Sequence, residues 1–163
     1  MSIRCAGPED LPAIVAIYNQ AIAAGRLTGD TVPVDLEERT RWLAGHPPAR
    51  YPVLVEEQQA GVVGYLGLSA YRPGRLALRH TAELSFYVDS RFHRQGVASR
   101  LLRRAIELCP DLQIRNLFAI LMEGNSASIA HLQNFGFERW AYLPRVADYD
   151  GVEIGQFYYG RRI

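Results

Sequence analysis

Cysteine is nearly absent from this chain: Cys5 and Cys109 are the only two in 163 residues. So few thiols exclude a disulfide-framed scaffold and fit a protein kept reduced. No stretch approaches the roughly 18 consecutive apolar residues of a membrane span. The opening MSIRCAGPED lacks the apolar run of a secretory signal. An excess of charge is missing too: 18 basic and 17 acidic residues leave +1, so no global field points to nucleic acid or an anionic membrane. His46, His80, His93 and His131 stand far apart and never meet cysteine at metal-ligand spacing, so no metal site is expected. These absences lead to the expectation of a cytoplasmic protein without membrane or nucleic-acid partners.

The composition itself is that of a globular protein, 48% hydrophobic and 21% charged, at a length that suits one domain over residues 1–163. SIRCA reads as a short strand. A helix follows from Pro8, with Leu11, Ile14, Val15, Tyr18 and Ile22 on one stripe, broken by Gly25. A second helix fits Leu36 to Ala44, with Asp35 as N-cap. YPVLVEE and GVVGYLGLSAYR form a hairpin across QQAG, and HTAELSFYV is a third strand beyond the PGRLAL loop. The helix after Gly96 buries Val97, Ala98, Leu101, Leu102, Ala105 and Ile106 and leaves Arg100, Arg103, Arg104 and Glu107 in water; Pro110 ends it. RNLFAILM is a strand covered on both faces, Asn125 to Asn134 a short helix, and the end a hairpin around Asp150-Gly151. The resulting order, β-α-α-β-β-β-α-β-α-β-β, gives an α/β protein of α+β type rather than a doubly wound sheet.

Three stretches carry candidate chemistry. In RFHRQGVASRLL a polar turn passes through Gly96 into a helix. A helix N-terminus offers unpaired N–H groups and a partial positive charge, Gly96 allows close backbone approach, and Arg94 adds a charged donor. An ordinary glycine-punctuated helix start explains the same residues, and on spacing alone both readings stay open. In HTAELSFYV, alternation puts Thr81, Glu83, Ser85 and Tyr87 on one face. A carboxylate midway along a central strand suits either an exposed polar face or a cleft, where a raised pKa would make it a general base. His80 and the upstream Arg72, Arg75 and Arg79 cluster with it, and those arginines offer a fork for a carboxylate. In EGNSASIAHLQNFGF, Asn125 can cap the next helix and also reach a ligand amide.

Together these segments resemble the GNAT superfamily of N-acetyltransferases. Its signature, Arg/Gln-x-x-Gly-x-Gly/Ala at a strand-to-helix turn, corresponds to His93-Arg94-Gln95-Gly96-Val97-Ala98. The second motif corresponds to Asn125-Ser126-Ala127-Ser128-Ile129 through Phe135-Gly136-Phe137. IYNQAI, LEERTRWL, YPVLVEE, VVGYLGLSAYR and RHTAELSFYV make the chain most similar to the phosphinothricin and methionine sulfone/sulfoximine acetyltransferases.

The resemblance implies a twisted mixed, mostly antiparallel sheet flanked by helices, splayed between the Glu83 strand and the 115–122 strand. It implies acetyl-CoA as cosubstrate, held by backbone at Phe86, Tyr87 and Val88, by the turn Arg94, Gln95, Gly96, Val97, Ala98 and Ser99, and by Asn125 and Ser128. It makes Glu83 the general base for a small, amino-acid-like amine, with Arg72, Arg75, Arg79 and His80 as substrate contacts. Two positions depart from the family. His93 replaces Arg or Gln, and Leu132 holds the place of the Tyr or His that protonates the leaving thiolate. His131, one residue earlier, points about 100° away on a helix. A protein N-terminus or a polyamine as acceptor, and a catalytically silent acyl-CoA-binding module, remain alternatives. The aromatic C-terminal hairpin is expected either to form a homodimer interface or to pack on its own core.

Overall fold

Breaks at Gly25, Gly45 and Gly61 and at the Asp150-Gly151 pair punctuate the chain as expected. In the computed structural model, which describes residues 1–163, the elements are β1 (Ser2–Cys5), α1 (Leu11–Ala24), α2 (Leu36–Ala44), β2 (Val53–Gln58), β3 (Gly61–Ala70), β4 (Thr81–Val88), α3 (Val97–Leu108), β5 (Asn116–Met122), α4 (Ser126–Asn134), β6 (Glu138–Tyr149) and β7 (Val152–Arg162). The Asp35 carboxylate accepts from the Glu38 amide at 2.8 Å and so caps α2. The Asp148 carboxylate accepts from the Gly151 amide at 2.6 Å and closes the last hairpin.

All seven strands join one mixed sheet in the order β1-β2-β3-β4-β5-β7-β6. Every pairing is antiparallel except β4 with β5, and that parallel ladder covers only Thr81, Ala82 and Glu83 against Asn116, Leu117 and Phe118. β4 keeps its other neighbour along its length, from Ala70↔Ala82 to Gly64↔Val88. β5 likewise stays paired with β7 out to Met122↔Gln156. The sheet therefore opens like a V just past Glu83, leaving one edge of Leu84–Val88 without a strand partner. This is the splay that the resemblance implies.

Alternation divides the core between the two faces of the sheet. Leu54, Leu66, Leu68 and Leu84 meet Leu101, Leu102 and Ala105 of α3 and Leu132 of α4 in the larger cluster. Val53, Val55 and Tyr65 face Ile14, Ile17 and Tyr18 of α1 in the smaller one. Each fully buried leucine contributes roughly 1.5–3 kcal/mol of transfer free energy.

Two local expectations are corrected. The buried stripe of α1 is Leu11, Ile14, Ile17, Tyr18 and Ala21. Val15 and Ile22 lie half-buried at the margins of that stripe, with Ile22 packed against the smaller cluster. As expected, α3 stops short of Pro110, ending at Leu108 with Cys109 as its C-cap. Arg100 does not stand free in water. Its guanidinium forks onto the fully buried Glu56 of β2, Nε to Oε2 at 3.0 Å and Nη2 to Oε1 at 2.7 Å. A buried carboxylate requires such a partner, and hydrophobic periodicity in one helix does not reveal a partner 44 residues away.

Candidate functional site

The alternation read from HTAELSFYV holds. Ala82 and Leu84 lie in the larger core, with Phe86 and Val88 packed against it, while Glu83, Ser85 and Tyr87 turn to the opposite face and line a cavity of about 420 Å³. Glu83 has no ion-pair partner, and burial alone raises its pKa above the ordinary carboxylate value near 4.5. A half-exposed carboxylate whose pKa is raised has both the access and the added basicity that a general base needs.

A second cavity, of about 450 Å³, lies where β4 gives way to α3. Phe86, Tyr87, Val88, Arg94, Gly96, Val97, Ala98, Ser99, Asn125 and Ser128 all line it, so the structure gathers those expected residues in one place. Gln95 is the exception. Its side-chain amide donates to the Arg91 carbonyl at 3.0 Å, and its own carbonyl accepts from Arg100 Nη1 at 2.9 Å. Gln95 thus shapes the turn from behind. Tyr87 and Leu27 line both cavities, so the two share a wall.

The turn itself is heavily tied. The Asp89 carboxylate, 4% exposed, accepts from the Arg91 amide and guanidinium, and Arg91 holds its pKa down at about 2. The Ser90 amide donates to Gln20 Oε1 at 2.8 Å, tying the turn to α1. His93, the atypical motif residue, donates from Nε2 to the Val88 carbonyl at 2.9 Å and also lines the cavity. Arg94 and Gly96 both adopt left-handed backbone, with φ of 59° and 78°. No side chain caps α3, so the amides of its first turn have no intrahelical partner and lie along the cavity wall. A Cβ on Gly96 would come within 2.8 Å of Arg100 Nη1. This turn has the donors and the backbone access that a phosphate needs.

On α4, the Asn125 side chain accepts from the Ser128 amide at 3.3 Å while lining the cavity, so capping and exposure to a ligand coexist. Leu132 is fully buried in the core and faces no cavity. His131 lines the turn cavity instead, edge-on to Phe86 at 5.6 Å between ring centroids. Burial lowers its pKa, and its Nε2 is buried without a partner.

The structure does not bring the loop arginines to the Glu83 cavity. Arg72, Arg75 and Arg79 are exposed on the β3–β4 loop and line neither cavity. Arg79 donates to the Leu76 carbonyl at 2.8 Å, and His80 Nδ1 donates to the Gln113 carbonyl at 2.6 Å. The wall of the Glu83 cavity includes Tyr18, Asp30, Arg39, Trp42 and Tyr65, none of which the sequence reading placed at a site. Arg39 and Trp42 both lie in LEERTRWL. A charged residue in a helix reads as solvent-facing, so the burial of Arg39 carried no local signal.

The sequence pattern of the Acetyltransferase (GNAT) family matches residues 14–137. The L-methionine sulfoximine/L-methionine sulfone acetyltransferase of Pseudomonas aeruginosa is 36% identical over 146 residues, covering 89% of this chain and 84% of that one. The crystal structure of a ribosomal-protein-alanine N-acetyltransferase from Brucella melitensis superposes with a TM-score of 0.94 at 35% identity, covering 100% of both chains. That of a phosphinothricin acetyltransferase from Sinorhizobium meliloti, in complex with acetyl-CoA, does so with a TM-score of 0.92 at 26% identity, over 99% of this chain and 88% of that one. Motif, splayed sheet and relatives agree: the chain belongs to the GNAT family of acetyltransferases.

Proposed function

We propose that this N-acetyltransferase moves the acetyl group of acetyl-CoA onto the primary amine of a small amino-acid-like substrate of the phosphinothricin or methionine sulfoximine type, with Glu83 as general base. The observation that carries the reading is the position of Glu83, an unpaired carboxylate where β4 and β5 part, in a cavity that shares a wall with the phosphate-ready turn. The α3 turn and Asn125 fit the cosubstrate's polar groups, and the free edge of Phe86–Val88 fits its extended arm. Acetyl-CoA supplies the activated thioester. Glu83 takes a proton from the substrate ammonium, directly or through water, freeing the lone pair that forms the new C–N bond as the C–S bond breaks. The thiolate then leaves as the thiol by taking up the second proton, which the newly acylated nitrogen sheds, directly or through water. Backbone amides along the opened strand stabilise charge on the acetyl oxygen, and holding both reactants in adjoining cavities supplies further acceleration.

The Brucella melitensis neighbour favours a protein N-terminus as the second reading. A cavity of about 420 Å³ walled by Tyr18, Trp42 and Tyr65 suits a single amino acid better than a peptide, which needs an open groove. The loop arginines, being outside the cavity, do not count against a polyamine; the buried Arg39 cation does. Free thiols at Cys5 and Cys109 suit a reducing, cytoplasmic setting. Exposed Trp140 and Tyr142 on the edge strand β6 support a homodimer. The test is thiol release from acetyl-CoA with L-methionine sulfone, an alanyl peptide and a polyamine. Turnover of the amino acid alone supports the reading. Turnover of the peptide alone replaces it with the second. Failure of every amine while acetyl-CoA still raises Tm leaves a silent binding module.

A further inference from the structure

We propose that Arg39 binds the carboxylate of the amine substrate, so that the acceptor is an α-amino acid or a close analogue rather than a plain amine; the assignment rests on the acetyltransfer reading and specifies its substrate class. Arg39 projects from α2 into the wall of the Glu83 cavity. Its side chain is only 7% exposed. The guanidinium lies over the Tyr18 ring at 3.8 Å and stands 5.2 Å from the Trp42 ring centre. Such stacking fixes the plane of the group and points its donor fork edgewise.

What the group lacks is an acceptor. Its Nε is buried with no hydrogen-bond partner. The nearest carboxylate oxygen, Asp30 Oδ2, is 3.8 Å from Nη2, beyond a hydrogen bond, and already accepts from the Tyr18 hydroxyl at 2.6 Å. Arginine cannot relieve this by losing its proton, so a desolvated permanent cation stands without a bonded counterion, at a cost to the fold. The Tyr65 hydroxyl, on the same cavity wall, is likewise buried and unpartnered. Two unused donors on one cavity call for an anionic acceptor, and a carboxylate accepts from a guanidinium fork in the geometry arginine favours. The same cavity holds three carboxylates, Asp30, Glu38 and Glu83, beside the one arginine. A zwitterion matches that mixture: its carboxylate goes to Arg39 and its ammonium to the side of Glu83.

Kinetics with L-methionine sulfone and its carboxamide, which lacks the charge Arg39 would read and carries a more acidic ammonium, decide the matter when kcat/KM is compared per free amine. The wild type should prefer the acid by about 10- to 100-fold in kcat/KM, the range set by a hydrogen bond to a charged group. Arg39→Gln should remove that preference through the KM of the acid, with the KM of acetyl-CoA, bound in the other cavity, within about twofold. Arg39→Lys, which keeps the charge and loses the fork, should fall between. A wild-type acid-to-amide ratio near one overturns the assignment without recourse to any variant. So does a preference that survives Arg39→Gln, or one abolished instead by Arg75→Ala on the loop. If the wild type turns over neither compound, nor any other amine, the acetyltransfer reading itself has failed, which is a different result from turnover without discrimination.

Discussion

Glu83 is held in a costly state, ionisable yet half-buried and unpaired, and that state is testable apart from catalysis. Its pKa is raised by burial. A carboxyl raised on folding stabilises the fold while protonated, below its ordinary value near 4.5, and loses that contribution as pH climbs through the raised value. Glu83→Gln should therefore raise Tm at pH 7, with the gain shrinking toward pH 4, as thermal melts across that range would show. At Gly96 the constraint is steric. Its φ of 78° and the 2.8 Å approach of Arg100 to an added Cβ make alanine doubly unfavourable. Strain of about 1–3 kcal/mol at the turn should raise the KM for acetyl-CoA roughly 5- to 100-fold while leaving kcat for bound substrate less affected. Tight wild-type binding of acetyl-CoA to Gly96→Ala would contradict the role given to this turn.

At the scale of elements, α3 is tied to β2 by Arg100 and Glu56, and the same guanidinium holds the Gln95 carbonyl behind the turn. Arg100→Met leaves a fully buried carboxylate alone and should cost about 3 kcal/mol, near the low end for such a pair because Arg100 is 28% exposed. Adding Glu56→Gln should restore most of that stability but not the affinity for acetyl-CoA, since Gln95 would still lose its clamp; denaturant melts and cofactor titration separate the two effects. This tie also marks where reading by sequence stops. Strand alternation, caps and glycine turns are local, so the order of elements, the face carrying Glu83 and the capping by Asn125 were all legible. The paired motifs gave the splay and the turn. Arg39, Tyr65 and Glu56 depend on contacts between distant elements, and a buried charge looks the same in sequence as an exposed one. The loop arginines show the converse: their nearness to Glu83 along the chain did not bring them to the cavity. The His131–Leu132 step shows a third limit, because which of two adjacent residues meets the cavity is decided by how α4 rolls on α3.

Across the whole molecule, all 18 Lys/Arg positions are arginine, so above the histidine range positive charge is essentially constant. Acid sensitivity then comes from carboxylates and from His46 and His131, whose charging is opposed by burial. Asp89, held down at about 2 by Arg91, and Asp10, lowered by Arg4, contribute stability above the ordinary value near 3.8, lost as pH falls through their folded values. Tm should drop between pH 4 and 2, and Asp89→Asn should flatten part of that drop. No helix is long and apolar enough to cross a membrane. Two cavities meet at the mouth of the splayed sheet, and the proposed chemistry uses that meeting to set an activated acyl group beside an amine. The direct test follows thiol release with L-methionine sulfone from pH 5 to 9 for the wild type and Glu83→Gln, with acetyl-CoA binding measured alongside. The wild-type kcat/KM should rise with pH through the ionisation of Glu83, and the variant should fall by about 10²- to 10⁴-fold with acetyl-CoA affinity intact. A variant that matches wild-type turnover at every pH would remove Glu83 as the base and with it the central claim.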